Sequence, residues 1–188
     1  MERIILASAS PRRKQLLEWA EIPFDVMVKE TDELYPSTLP AEEVPVYIAR
    51  NKALAVQQEL SHDRLILAAD TIVVLNDEII GKPASREGAV ETLLKLSGQI
   101  HRVITGVVLL NGPVEYSFED ITEVSFHELT KEQIEYYVDH YQPFDKAGAY
   151  AIQEWIGVTG IKKIDGDFYN VMGLPVSRVV QLIKRLTQ

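Results

Sequence analysis

Apolar residues in this chain fall into short blocks, and the spacing within each block predicts the element it forms. Arg3 to Ala7 predicts a short buried strand. Ser10 before Pro11 predicts a capped helix start, because a first-turn proline gives up no helical hydrogen bond. Phe24 to Val28 predicts a second strand, and Thr31 to Pro40, with its prolines and acids, an irregular loop. Ala41 to Leu60 has helical spacing. Arg64 to Leu75 predicts a strand that Asn76-Asp77-Glu78 turns back into Ile79 and Ile80. Ser85 to Leu96 predicts a helix stopped at Gly98, and His101 to Leu110 with Val114 to Phe126 a long hairpin about Asn111-Gly112. Thr130 and Gln133 fit a capping box for a helix to about His140. A loop of small residues, a hairpin around Asp165-Gly166 and a closing helix from about Pro175 to Leu186 complete the order. Alternating strands and helices with inserted hairpins predict an α/β fold with a mixed sheet, flanking helices and two lobes. No linker separates them, so residues 1–188 are expected to form a single domain.

Composition narrows the chemistry. At 46% apolar and 25% charged residues, the chain can bury a core of ordinary size. Its formal net charge of −9 argues against a nucleic-acid partner, which needs a basic face to displace counterions. With no cysteine, disulfides, thiolate nucleophiles and thiolate-bound metals are excluded. His62, His101, His127 and His140 show no ligand spacing, so a histidine-bound zinc is not expected. No apolar run reaches the roughly 18 residues of a membrane span, and the first residues do not resemble a secretory signal. A cytoplasmic location without a membrane partner is the expectation. Serine-hydrolase elbows, P-loops and dinucleotide-binding glycine turns are missing from the sequence.

Three places break local rules. Arg12, Arg13 and Lys14 follow Ser8-Ala9-Ser10-Pro11 and put cations at a helix start, where the backbone already presents partial positive charge. A phosphate held by Ser8, Ser10, Arg13 and the helix amides would reverse that mismatch; a solvated basic turn is the plainer alternative. Asp70 interrupts the apolar strand Leu65 to Val74, and an unpaired buried carboxylate would cost several kcal/mol. It is expected to bind a metal, pair with a base or face a cleft from a strand end, with a structural salt bridge or turn hydrogen bond equally open. Lys52 projects from an apolar arc of Ile48, Ala49, Ala53, Ala55 and Val56, either snorkelling over the core or reaching a phosphate. Lys82, in a stiff turn, could reach a phosphate or merely face solvent. Asp145 to Tyr150 carries small residues that allow close approach, and Gln153 offers both a donor and an acceptor to a base edge.

Taken in order, these segments resemble the Maf family of nucleoside triphosphate pyrophosphatases. The resemblance is carried by Ser8-Ala9-Ser10-Pro11-Arg12-Arg13, Ala68-Ala69-Asp70-Thr71-Ile72-Val73, Gly81-Lys82-Pro83, Leu96-Ser97-Gly98 and Thr105-Gly106. The run Asp145 to Gln153 and Val171-Met172-Gly173-Leu174-Pro175 complete it. It implies a two-lobed fold with a deep central cleft, similar in shape to inosine triphosphate pyrophosphatases, although the Asn- and Lys-containing opening of those proteins is missing. It also implies hydrolysis between the α- and β-phosphates, with Asp70 as general base, a divalent cation (Mg2+ or Mn2+) and a homodimer. Arg12, Thr71 and Gln153 match the dTTP/UTP branch at the positions that separate substrates within the family. Asp70 and Glu33 are the expected metal ligands, with Lys52, Lys82 and Arg13 neutralising the triphosphate. A nucleotide-binding regulator of septum formation without essential turnover, and a phosphomonoesterase releasing orthophosphate, are the competing expectations.

Overall fold

A computed structural model describes residues 3–186. The fold opens on β1 (Ile4–Leu6), all three residues buried, paired in parallel with β2 (Phe24–Val26) and with β3 (Ile66–Leu75). Ile4 lies opposite Phe24, and Ile5 opposite Ile66. Parallel neighbours need crossover connections, which α1 (Pro11–Trp19) and α2 (Val44–Gln57) supply. The α2 helix is shorter than the predicted span from Ala41. Pro45 sits in its first turn, and a helix running back to Ala41 would drive the proline ring into that residue's carbonyl.

Asn76 and Asp77, at φ 49° and 65°, make the left-handed turn from β3 into antiparallel β4 (Glu78–Ile80). The helix α3 (Arg86–Leu96) is capped by Ser85, whose hydroxyl accepts from Gly88 N at 3.1 Å, and Gly98 at φ 70° ends it. Next come β5 (Ile100–Asn111), β6 (Val114–Phe126) and α4 (Lys131–Tyr141), the last with the full Thr130–Gln133 capping box. After a 3-10 turn at Ala147–Ala149 the chain forms α5 (Trp155–Gly160), β7 (Ile161–Asp165), α6 (Phe168–Met172) and α7 (Val176–Leu186). Asp165-Gly166 is not a hairpin, contrary to its sequence signature. β7 pairs antiparallel with the earlier β6, Val124 opposite Ile164, and Gly166 at φ 131° leads into α6. The sheet is mixed, in the order β2-β1-β3-β5-β6-β7, with β4 on β3.

The chain divides into two compact units. The first takes the residues up to Asp70, Thr105–Asp120 and those from Gly173 on. Its core joins Ile5 and Ala7 of the β1 strand and its exit, Ala49, Ala53 and Val56 of α2, Ile66 and Ala68 of β3, and Val108 and Leu110 of β5. A side chain at Gly106 would meet Val46 N at 2.1 Å, so β5 needs glycine where α2 begins. The second unit comprises Thr71–Ile104 and Ile121–Met172. There α3 packs on α4, Leu93, Leu96, Ile134 and Val138 are buried, and Arg86 grips Asp139 with two hydrogen bonds. Among the described residues, no helix is long and apolar enough to cross a membrane.

Candidate active site

In the first unit, buried β1 delivers the chain into Ser8-Ala9-Ser10 and then directly into α1. Ser10 caps the helix, its hydroxyl accepting from Arg13 N at 3.4 Å. Ser8 is buried and its hydroxyl accepts from Ser10 N at 3.2 Å and from Arg13 Nη1 at 3.1 Å. Arg13 Nε donates to Gly173 O at 2.7 Å, tying the first helix to a segment 160 residues later. Through these contacts the buried Arg13 side chain braces the Ser8–Ser10 turn. Burial lowers its pKa from the ordinary guanidinium value, Asp70 and Glu33 oppose that shift, and Arg12 adds to it. Arg12 itself is half-buried.

Beside this turn stands a three-residue ionic cluster. Lys52 extends from α2, and its Nζ lies 2.7 Å from Asp70 Oδ1 and 2.9 Å from Glu33 Oε1. Asp70 occupies the middle of β3, with four buried residues before it, so of the alternatives open from sequence it takes pairing with a base and not a strand end. The pairing explains how a charge is tolerated there: the ammonium answers the carboxylate within hydrogen-bond distance. Only 19% of the Lys52 side chain and 13% of Asp70 are exposed, against 48% of Glu33, so the cluster is sealed at Asp70 and open at Glu33. The surface-snorkelling alternative for Lys52 does not hold.

Glu33, from the irregular loop, and Asp70, from the sheet, meet on the Lys52 ammonium. Two carboxylates, with neither thiolate nor imidazole, are the donor set suited to Mg2+ or Mn2+. Among the described residues there is no group of three or more His, Cys, Asp or Glu side chains able to hold a metal alone. A divalent cation held by these two carboxylates would take its remaining ligands from substrate phosphates and water.

The second unit carries Thr71, Lys82 and Gln153. Thr71 follows Asp70 on β3 and is half-buried; Lys82 is exposed just after β4. Gln153 is exposed between buried Ile152 and half-buried Glu154. The segment before it is fixed by Gly148, at φ 70°, where an added side chain would meet Val73 Cγ2 at 2.9 Å.

Sequence reasoning missed the charges beneath this loop. Lys146, 9% exposed, sits 2.8 Å from Asp145 and 3.7 Å from Glu154. Tyr137 of α4, fully buried, accepts from Ala151 N at 3.1 Å and donates to the Glu154 carboxylate. The signal for Tyr137 was a hydroxyl among the apolar positions of a helix, which requires a partner when buried. His101 was likewise passed over. It is buried against Phe126 and Tyr150, with Nε2 2.7 Å from the Tyr150 hydroxyl. Burial alone lowers the His101 pKa to about 4 and raises that of Tyr150.

Residues 3–186 match the family model described as Maf-like protein. Curated relatives are similar over nearly the whole chain. The dTTP/UTP pyrophosphatase of Cytophaga hutchinsonii is 54% identical over 97% of this chain and 84% of its own length. The protein of the same name from Phocaeicola vulgatus is 50% identical over 98% of this chain and 96% of its own. That of Porphyromonas gingivalis is 43% identical over 97% and 93%. Among solved structures, the Staphylococcus aureus Ham1 protein aligns with 68% of this chain and 73% of its own at 13% identity and a TM-score of 0.48, too distant to transfer any property.

Proposed function

Because the chain belongs to the Maf family, we propose that it is a metal-dependent nucleoside triphosphate pyrophosphatase acting on dTTP, UTP and modified pyrimidine nucleotides. The observation that carries this reading is the Glu33–Lys52–Asp70 cluster, a partly buried base held beside a second carboxylate and a fixed cation. Water attacks the α-phosphorus, the bond to the bridging oxygen breaks, and nucleoside monophosphate and pyrophosphate leave. Asp70 accepts the proton of the attacking water, a role typically worth 10²–10⁴ in rate. Glu33 and Asp70 are the residues that would hold Mg2+ or Mn2+, which when bound supplies Lewis acidity and offsets phosphate charge.

Lys52 holds Asp70 in one orientation through its 2.7 Å contact and keeps positive charge beside the leaving pyrophosphate. Ser8, Ser10, Arg13 and Lys82 bind phosphate oxygens, the first three as part of a helix start whose amides favour anions. Arg12, Thr71 and Gln153 select the base. The reading extends to a homodimer in the cytoplasm, where nucleoside triphosphates are abundant; sedimentation equilibrium tests the first and fractionation the second.

Product analysis tests the reaction. With Mg2+ or Mn2+, dTTP and UTP should give monophosphate and pyrophosphate, and GTP and 7-methyl-GTP should be poor substrates. Asp70→Asn should lose about 10³-fold in turnover while still binding nucleotide. Orthophosphate as first product, or tight binding without turnover in the wild type, would overturn the assignment.

A further inference from the structure

The loop that presents Gln153 is braced by buried polar groups. Ala151 N donates to the Tyr137 hydroxyl at 3.1 Å, and that hydroxyl donates to the carboxylate of Glu154. Two residues flanking Gln153 thus meet on one buried phenol. The turn closes on itself as well: Glu154 N donates to Ala151 O at 3.1 Å, and Gly157 N to Glu154 O at 2.9 Å. An added side chain at Gly157 would lie 1.7 Å from Ile152 O, so α5 presses directly on the backbone before Gln153. Lys146 answers the other oxygen of Glu154 at 3.7 Å from beneath, itself only 9% exposed. The result is a glutamine whose side chain is in solvent and whose chain neighbours Ala151 and Glu154 are both held.

An amide can read a base edge only if its position is set, because rotation about its last torsion exchanges donor for acceptor. We propose that Tyr137 and Lys146, acting through Glu154, are positioning residues that fix Gln153 and thereby set discrimination between bases. This rests on the assignment of Gln153 to base recognition made above. Neither Tyr137 nor Lys146 is required to touch the nucleotide.

The experiment compares kcat/KM on UTP with that on CTP, substrates that differ only in the hydrogen-bonding edge of the pyrimidine. The ratio, taken on one preparation, cancels the fraction of enzyme that is folded. Wild type, Tyr137→Phe, Lys146→Met, Gln153→Ala and the double variant Tyr137→Phe/Gln153→Ala are measured. Tyr137→Phe and Lys146→Met are run in parallel so that poor folding of one leaves the other informative. Gln153→Ala and each positioning variant should shift the ratio by about fivefold or more, and Tyr137→Phe should add nothing once Gln153 is gone. An unchanged ratio in both positioning variants, with Gln153→Ala altered, would overturn the proposal alone. So would a full additional effect of Tyr137→Phe in the double variant. An unchanged ratio in Gln153→Ala would remove the base-reading assignment and the proposal with it.

Discussion

Lys52 does two things with one charge: it neutralises a carboxylate inside a sheet and sets its direction. Replacing it by methionine leaves Asp70 in place without its partner. Loss of a fully buried partner costs about 3–5 kcal/mol; with both side chains slightly exposed, we expect about 2 kcal/mol in urea unfolding. Adding Asp70→Asn to Lys52→Met should restore much of that stability, since the carboxylate left without Lys52 is then the half-exposed Glu33 alone. His101 gives a separate prediction about acid. Its native pKa is about 4, below the ordinary 6.5, so the unfolded chain binds the extra proton between those values. Stability therefore rises with pH across that window and is lost as pH falls through 6.5 toward 4. Between pH 7 and pH 5 the loss from this residue is about 2 kcal/mol, and His101→Phe should flatten that part of the stability curve. Unfolding midpoints of both proteins at the two pH values check it.

Elements with strong local punctuation were legible from sequence. Ser10 and Thr130 cap where expected, Asn76-Asp77 takes the left-handed turn, and Gly98 stops α3. What escaped was short or non-local. The α5 and α6 helices have six and five residues, less than two turns, too few to show a period. Asp165-Gly166 signalled a turn correctly, but no local feature could say that β7 pairs back onto β6. The site divides in the same way. Asp70 and Lys52 stood out as charges in apolar surroundings, yet their mutual pairing depends on α2 crossing beside β3. That placement hinges on Gly106. Gly106→Ala would drive a methyl into the backbone of Val46 at 2.1 Å, and the start of α2 must shift. We expect a loss of about 3 kcal/mol and, because Lys52 rides on the same helix, a fall in turnover of the remaining folded protein. Urea titration and single-turnover assays on the folded fraction measure the two effects.

At the scale of the molecule, β3, β5 and β6 each begin in one unit and end in the other. Because the chain passes from one unit to the other inside continuous strands, a single transition is expected. The chain has two tryptophans, Trp19 in the first unit and Trp155 in the second. Fluorescence of the variants Trp19→Phe and Trp155→Phe should therefore give coincident urea midpoints after correction for the substitutions; separated midpoints would show independent units. The same partition bears on synthesis at the ribosome. The second unit has all its residues once Met172 has emerged, whereas the first waits for the segment from Gly173 onward. Arg13 cannot close on the Gly173 carbonyl until then. The serine turn that translation makes first is thus locked last, and a prematurely released chain carries every acid and base of the cluster without the brace behind them.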